Sequence, residues 1–217
     1  MRTLAALAVF ALAGCGGDAQ RPSGPVEVVE TLREGGRVVF LRHAATDHSQ
    51  RDQLRFLPTE CARQRNLTDA GREQARSIGQ AWRALEIPVG DVLSSAYCRT
   101  RETAELAFGR ATIVPALTGI PTQRVGTYGG RVRALRRLLG TRPDEGENTV
   151  IVGHIANLEA ATQVEIDEGE AAVFEPLGGS RFRLVARVPA SVWPQLVERV
   201  DSTAARASRS NGLSRYG

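Results

Sequence analysis

The chain has 217 residues, a formal net charge of +4, and 42% hydrophobic, 24% charged and 5% aromatic residues. That length holds one globular α/β-type domain with a real core rather than two comfortable ones. The composition excludes a disordered chain, a disulfide miniprotein built on three cysteines, and a multi-span membrane protein. All 28 basic residues are Arg, a bias that reads as codon usage in a GC-rich genome before it reads as an anionic partner.

The chain opens with Arg2 and an apolar run from Leu4 to Ala13, ending at Leu12-Ala13-Gly14-Cys15. Ten helical residues rise about 15 Å, half of a bilayer core, so the run reads as a secretory signal and not as a span. Leu-Ala-Gly-Cys resembles the lipobox of bacterial lipoproteins, in which the cysteine is lipidated and becomes the new N-terminus. Residues 1–15 are therefore expected to be a lipoprotein signal peptide ending at Cys15; a plain signal cut near Gly16 and Gly17 is the alternative. Gly16, rather than Asp, follows the cysteine, which in enteric lipoproteins points to the outer membrane. Residues 16–25, rich in Gly, Pro and Ser, read as a flexible tether, 26–200 as the domain, and 201–217 as a disordered tail. An exported chain sits in an oxidising compartment, where Cys61 and Cys98 form an even pair. A bridge would close a loop of about 38 residues, worth about 4 kcal/mol in the chain-entropy model. Two small buried hydrophobes are the other reading.

Alternating elements follow. Val26–Arg33 reads as a short helix and Arg37–His43 as a buried strand. Thr68–Leu85 is the clearest helix: Thr68 is the N-cap, and Ala75, Ile78, Trp82 and Leu85 share one face. Asp91–Ser95 reads as a strand, Cys98–Phe108 as a helix closed by Gly109, and Ala111–Val114 as an edge strand. Gly130–Leu139 reads as a helix and Thr149–Gly153 as a third buried strand. Ala171–Phe174 and Phe182–Val188 suit an antiparallel pair, and Val192–Ala205 a closing helix. This order is that of an α/β layer protein.

Three strands end in residues that carry chemistry: His43, Ser95 and His154. In open α/β sheets ligands bind outside the carboxyl ends of the strands, so these ends are expected to share one crevice. Two imidazoles with Arg42 and Arg99 suit a phosphoryl group. Guanidinium forks match phosphate oxygens, and a neutral imidazole kept so by neighbouring positive charge can attack phosphorus. No third ligand accompanies the two histidines, so the site is read as needing neither metal nor cofactor.

Leu41-Arg42-His43-Ala44 resembles the Arg-His-Gly motif of the histidine phosphatase superfamily, the phosphoglycerate-mutase-like fold, with Ala44 in place of Gly. Leu67-Thr68 with Gly71 and Gln74-Ala75 resembles its Leu-Thr-x-x-Gly-x-x-Gln-Ala helix. Ser95 to Ala104 resembles its Ser-x-x-x-Arg-x-x-x-Thr-Ala element, and Val152-Gly153-His154 its second histidine. The resemblance runs from about Arg37 to Ala161. It implies a three-layer α/β/α fold with a central mixed sheet flanked by helices. It also implies that His43 is the phosphorylated nucleophile, that Arg42 and Arg99 grip the phosphate, that His154 completes the pocket, and that Thr46 and Asn157 bind substrate nearby. Many members carry a Glu proton donor between the second Arg element and the second His; here Leu106–Pro143 contains no Asp or Glu. Asp47 is the first candidate to replace it and Asp52 the second; a substrate with a good leaving group would need little help, and a slow or degenerate enzyme is a third explanation. Gln64–Thr68, Tyr97-Cys98-Arg99 and Glu168–Ala171 resemble the secreted heptose phosphatases of lipopolysaccharide core.

Leu106–Pro143 also holds seven Arg, read as a solvated helix face before a basic wall for polyanions. Without interleaved aromatics they do not suit nucleic acid. Glu102 is expected to orient Arg99, His48 to be a loop histidine close to the pocket, and Trp82 and Trp193 to be core or boundary residues. The expectation is a metal-independent phosphomonoesterase acting through phosphohistidine on a phosphorylated envelope component, small molecule or glycan, held on the periplasmic face of a membrane by its lipid. The alternative is a non-catalytic or weakly active phosphate-binding lipoprotein of the same fold.

Overall fold

The computed structural model describes residues 25–53, 57–118, 125–200 and 202. The expected signal peptide with Cys15, the tether apart from Pro25, and the tail apart from Ser202 lie outside these residues. The elements are α1 (Pro25–Arg33), β1 (Val38–Arg42), α2 (Asp69–Ala84), β2 (Val89–Ser94), α3 (Cys98–Phe108), β3 (Thr112–Ile113), α4 (Val125–Gly140), β4 (Asn148–Gly153), α5 (Ile155–Thr162), β5 (Ala171–Pro176) and β6 (Phe182–Val188). A final helix, α6, covers 192–200. Short 3-10 turns stand at Cys61–Arg63 and Pro115–Leu117.

The sheet runs β3-β2-β4-β1-β5-β6. The first four strands are parallel, and β5 and β6 are added antiparallel. The central strands are apolar on both faces because helices cover both. One face packs Val39, Leu41, Val150 and Val152 against α1, α2 and α6 through Leu32, Ile78, Trp82 and Trp193. The other packs Phe40 and Ile151 against α4 and α5 through Leu135, Leu139 and Leu158. This is the expected three-layer α/β/α arrangement. Trp82 and Trp193 are core residues, their rings 5.3 Å apart.

Two elements depart from the sequence reading. Helix α4 begins at Val125, not Gly130, because Gly129 and Gly130 lie within it; glycine weakens a helix without forbidding it. Helix α5 was not anticipated: at eight residues and with little amphipathic contrast, it gives no clear periodic signal.

The parallel register brings the chemistry together. Arg42 pairs with Gly153, and Ser94 with Val152. The next residues, His43, His154 and Ser95, therefore leave three adjacent strands at the same edge. Helix α2 braces this edge. Thr68 caps it through Gly71 N–H, as expected. Thr68 N–H also donates to Ala45 O, and Ala45 N–H donates to Gln74 Oε1. Gly71 allows the close approach: a Cβ there would lie 2.0 Å from Ala45 O. Ala44 fits without strain, since the left-handed non-glycine residues are Glu86 and Gln163 among the described residues.

Cys61 and Cys98 form a disulfide with Cα atoms 5.6 Å apart. It ties the 3-10 turn to the first residue of α3, directly before Arg99.

Gly71→Ala should destabilise the fold by roughly 2–3 kcal/mol, the cost of overpacking against backbone. Gly130→Ala, where a Cβ meets nothing within 4 Å, should be neutral or stabilise by up to about 1 kcal/mol. Urea unfolding of the two variants checks the contrast, and equal midpoints would refute the bracing role of Gly71.

Candidate active site

His43 follows β1 and is 2% exposed. Its backbone N–H donates to Gly153 O, and its ring Nδ1 lies 2.9 Å from Ala44 O. A carbonyl can only accept, so Nδ1 carries the proton and Nε2 keeps its lone pair. Burial, with help from the Arg99 and Arg42 charges, lowers the imidazole pKa from 6.5 to about 3, against the opposing pull of the Ala44 bond and Glu168. The ring is neutral at physiological pH, in the tautomer that exposes a nucleophilic nitrogen.

His154 caps the start of α5, its ring centroid 5.6 Å from that of His43. Its Nε2 lies 3.0 Å from Ser95 Oγ, which accepts from Tyr97 N–H. Ser95 can satisfy both bonds by giving its hydroxyl proton to Nε2, which leaves the His154 proton on Nδ1. Burial, then Arg99 and His43, push His154 well below the usual histidine value. The Tyr97 ring meets that of His154 at 5.0 Å, and the Arg99 guanidinium lies over the Tyr97 ring at 4.8 Å.

Arg42, Arg65 and Arg99 surround the imidazoles. Arg42 Nη1 donates to Ile166 O, and Arg99 Nη1 reaches Arg65 O. The Nε–H groups of all three arginines are buried without a protein partner. Such donors cost free energy unless something accepts from them, and a tetrahedral oxyanion supplies several acceptors at once.

Two carboxylates stand among these charges. Asp52 accepts from Arg99 Nη1 and Nη2 at 3.0 and 3.1 Å, and from Arg65 N–H at 2.9 Å. Glu168 accepts from Thr46 N–H at 3.0 Å and Thr46 Oγ1 at 2.7 Å. It lies 3.7 Å from Arg42 Nη2, 3.9 Å from Arg65 Nη2, 4.0 Å from His43 Nδ1 and 3.4 Å from His48 Nε2. Partial burial works to raise the Glu168 pKa, but the Thr46 bonds, with help from the Arg42 charge, outweigh it and leave the carboxyl below its ordinary value.

The structure thus brings together His43, Arg42, Arg99 and His154, and adds Arg65 and Glu168, which the sequence reading did not place in the pocket. Asp52 is in the pocket, but as the partner of Arg99. Asp47 turns its carboxylate to Ser49, accepting from both N–H and Oγ–H, and its pKa is lowered first by these bonds. Thr46 is buried beside the site with its hydroxyl committed to Glu168. Asn157 is 2% exposed; its amide holds Leu117 O and Thr118 O while Oδ1 has no partner. Glu102 does not orient Arg99: it pairs with Arg72 at 2.6 Å. Thr103 instead links α3 to the loop, accepting from Ala44 N–H and donating to Arg99 O. Among the described residues no three His, Cys, Asp or Glu side chains are grouped to hold a metal.

A buried histidine of depressed pKa destabilises the fold in acid, because the unfolded chain takes up its proton near pH 6.5 and the folded chain does not. Holding His43 neutral should cost about 2 kcal/mol between pH 7 and pH 5. Denaturant unfolding over that range should show this loss, reduced in His43→Asn; a flat profile in the wild type would contradict it.

Residues 38–118 match the family description "Histidine phosphatase superfamily (branch 1)". No curated protein matches the sequence. Among solved structures, the chain is similar to a protein described as an alpha-ribazole-5'-P phosphatase from Escherichia coli, with 16% identity and a TM-score of 0.55, over 72% of this chain and 98% of that one. It is similar to a phosphoserine phosphatase from Entamoeba histolytica in complex with 3-phosphoglyceric acid, with 13% identity and a TM-score of 0.50, over 70% and 96%. A mycobacterial glucosyl-3-phosphoglycerate phosphatase complexed with VO3 gives 15% identity and a TM-score of 0.50, over 70% and 100%. Over the segment from β1 to the turn after β3 the chain is thus similar to the histidine phosphatase superfamily, and it shares the fold of these phosphatases.

Proposed function

We propose that the chain is a metal-independent phosphomonoesterase that works through a phosphohistidine on His43, and that its substrate is a phosphorylated sugar or other small component of a cell envelope. The observation that carries the reading is the neutral, buried His43, its Nε2 lone pair free, among three guanidiniums. In the first step Nε2 attacks phosphorus, the P–N bond forms, and the ester P–O bond breaks in line with it. In the second, water attacks phosphorus, the P–N bond breaks, and inorganic phosphate leaves His43 neutral again. Arg42, Arg65, Arg99 and the Nδ1–H of His154 stabilise the charge on the transferred oxygens. Their positions are fixed before substrate arrives, so little reorganisation is required during transfer.

The envelope location rests on the leader and on Cys15, and the disulfide is consistent with an oxidising compartment. In this reading the lipid at Cys15 holds the domain at the periplasmic face of the outer membrane.

Rapid quenching of the full chain during turnover, under alkaline conditions that preserve phosphohistidine, should find label on His43 and none in His43→Ala. EDTA should leave the rate unchanged. Turnover with the label elsewhere, or turnover lost on chelation, would overturn the mechanism. Cys15→Ser should shift the chain from the membrane to the soluble fraction, and a variant still held in the membrane would overturn the anchor.

A further inference from the structure

Breaking the ester bond of an alkyl phosphate leaves an alkoxide, which needs a proton as it departs. The pocket's cations are arginines, which do not give one up. His43 is the nucleophile, and His154 is buried and held by Ser95. The carboxylates are also engaged, each as an anion: Asp52 receives both terminal nitrogens of Arg99, Glu168 receives Thr46 N–H and Oγ–H, and Asp47 receives Ser49 N–H and Oγ–H. A carboxylate whose charged form accepts such bonds is a poor proton donor.

A further proton carrier stands at the mouth of the site. His48 lies five residues after His43, and its side chain is 67% exposed. Nε2 is 3.4 Å from Glu168 Oε2, and Nδ1 is 3.5 Å from Arg65 Nη1. The other oxygen of the same Glu168 lies 4.0 Å from His43 Nδ1. His48 is thus one carboxylate away from the nucleophile, on the open side. That side matters because attack is in line: the leaving oxygen stands opposite the attacking nitrogen. His43 is buried and His48 exposed, so His48 stands on the solvent side of His43.

We propose that His48, held by Glu168, is the general acid and base of the reaction: it protonates the leaving oxygen in the first step and takes a proton from the attacking water in the second. This rests on the phosphatase reading above. In the first step the imidazolium of His48 gives one proton to the ester oxygen as the P–O bond breaks, becoming neutral. In the second, neutral His48 takes the water proton as the new P–O bond forms and the P–N bond breaks. Three charged groups face it. They are the carboxylates of Glu168 and Asp47 and the guanidinium of Arg65. Glu168 is a positioning residue here: it holds the His48 ring by Nε2 and does not itself transfer the proton.

The test compares two esters on the full chain, glycerol phosphate with a poor leaving group and p-nitrophenyl phosphate with a good one. His48→Gln should lower kcat/KM for glycerol phosphate on the order of 10²-fold, and for p-nitrophenyl phosphate by a much smaller factor. The wild type should show an alkaline fall of kcat with glycerol phosphate, and the variant should not. Equal losses on both esters would overturn the assignment, as would a leaving-group-selective loss in Tyr97→Phe or Asp52→Asn and not in His48→Gln. A wild type inactive on both esters would overturn the phosphatase reading and this assignment with it; an active wild type with an evenly slowed variant would overturn this assignment alone.

Discussion

Three guanidiniums crowd two buried imidazoles, and the pocket tolerates them because Asp52 and Glu168 sit among them. Without these carboxylates the like charges would repel at close range in a medium that screens them poorly. With them, each arginine has a partner but keeps an unpaired Nε–H. The same crowding sets the chemistry. Burial and positive charge keep the histidines neutral, so His43 offers a lone pair rather than another cation.

The scaffold keeps this arrangement stiff. The strand-end loop is held by α2 through Thr68, Gly71 and Gln74, and by α3 through Thr103. On the third side, Gly169 N–H donates to Arg42 O and His43 O, and Glu170 accepts from Asp167 N–H while pairing with Arg187. Most of these contacts are made by backbone atoms or by short side chains. They leave little slack in the position of the His43 backbone.

What the sequence made legible follows from locality. His43, Ser95 and His154 each stand directly after an apolar run, so the strand and the chemical group are read together. Thr68, Gly71 and Gln74 are legible for the same reason, being fixed offsets on one helix. Glu168 is not: its bond to Thr46 spans 122 residues, and only the antiparallel addition of β5 beside β1 brings it there. Asp52 reaches Arg99 across 47 residues through an irregular loop with no periodicity. Arg65 is one of many arginines, and composition hides a functional one among the solvated. Glu102 misled because its helical spacing from Arg99 was real, while Arg72 on α2 offered the better contact.

The bridge between Cys61 and Cys98 spans the two stretches that carry Arg65 and Arg99. Cys98 is the residue before Arg99, and the turn at Cys61 leads through Gln64, whose amide oxygen accepts from Cys98 N–H, to Arg65. Closing the bridge therefore sets the spacing between two of the three arginines. A chain still reduced would carry every residue of the site yet lack the covalent fixing of its anion cradle.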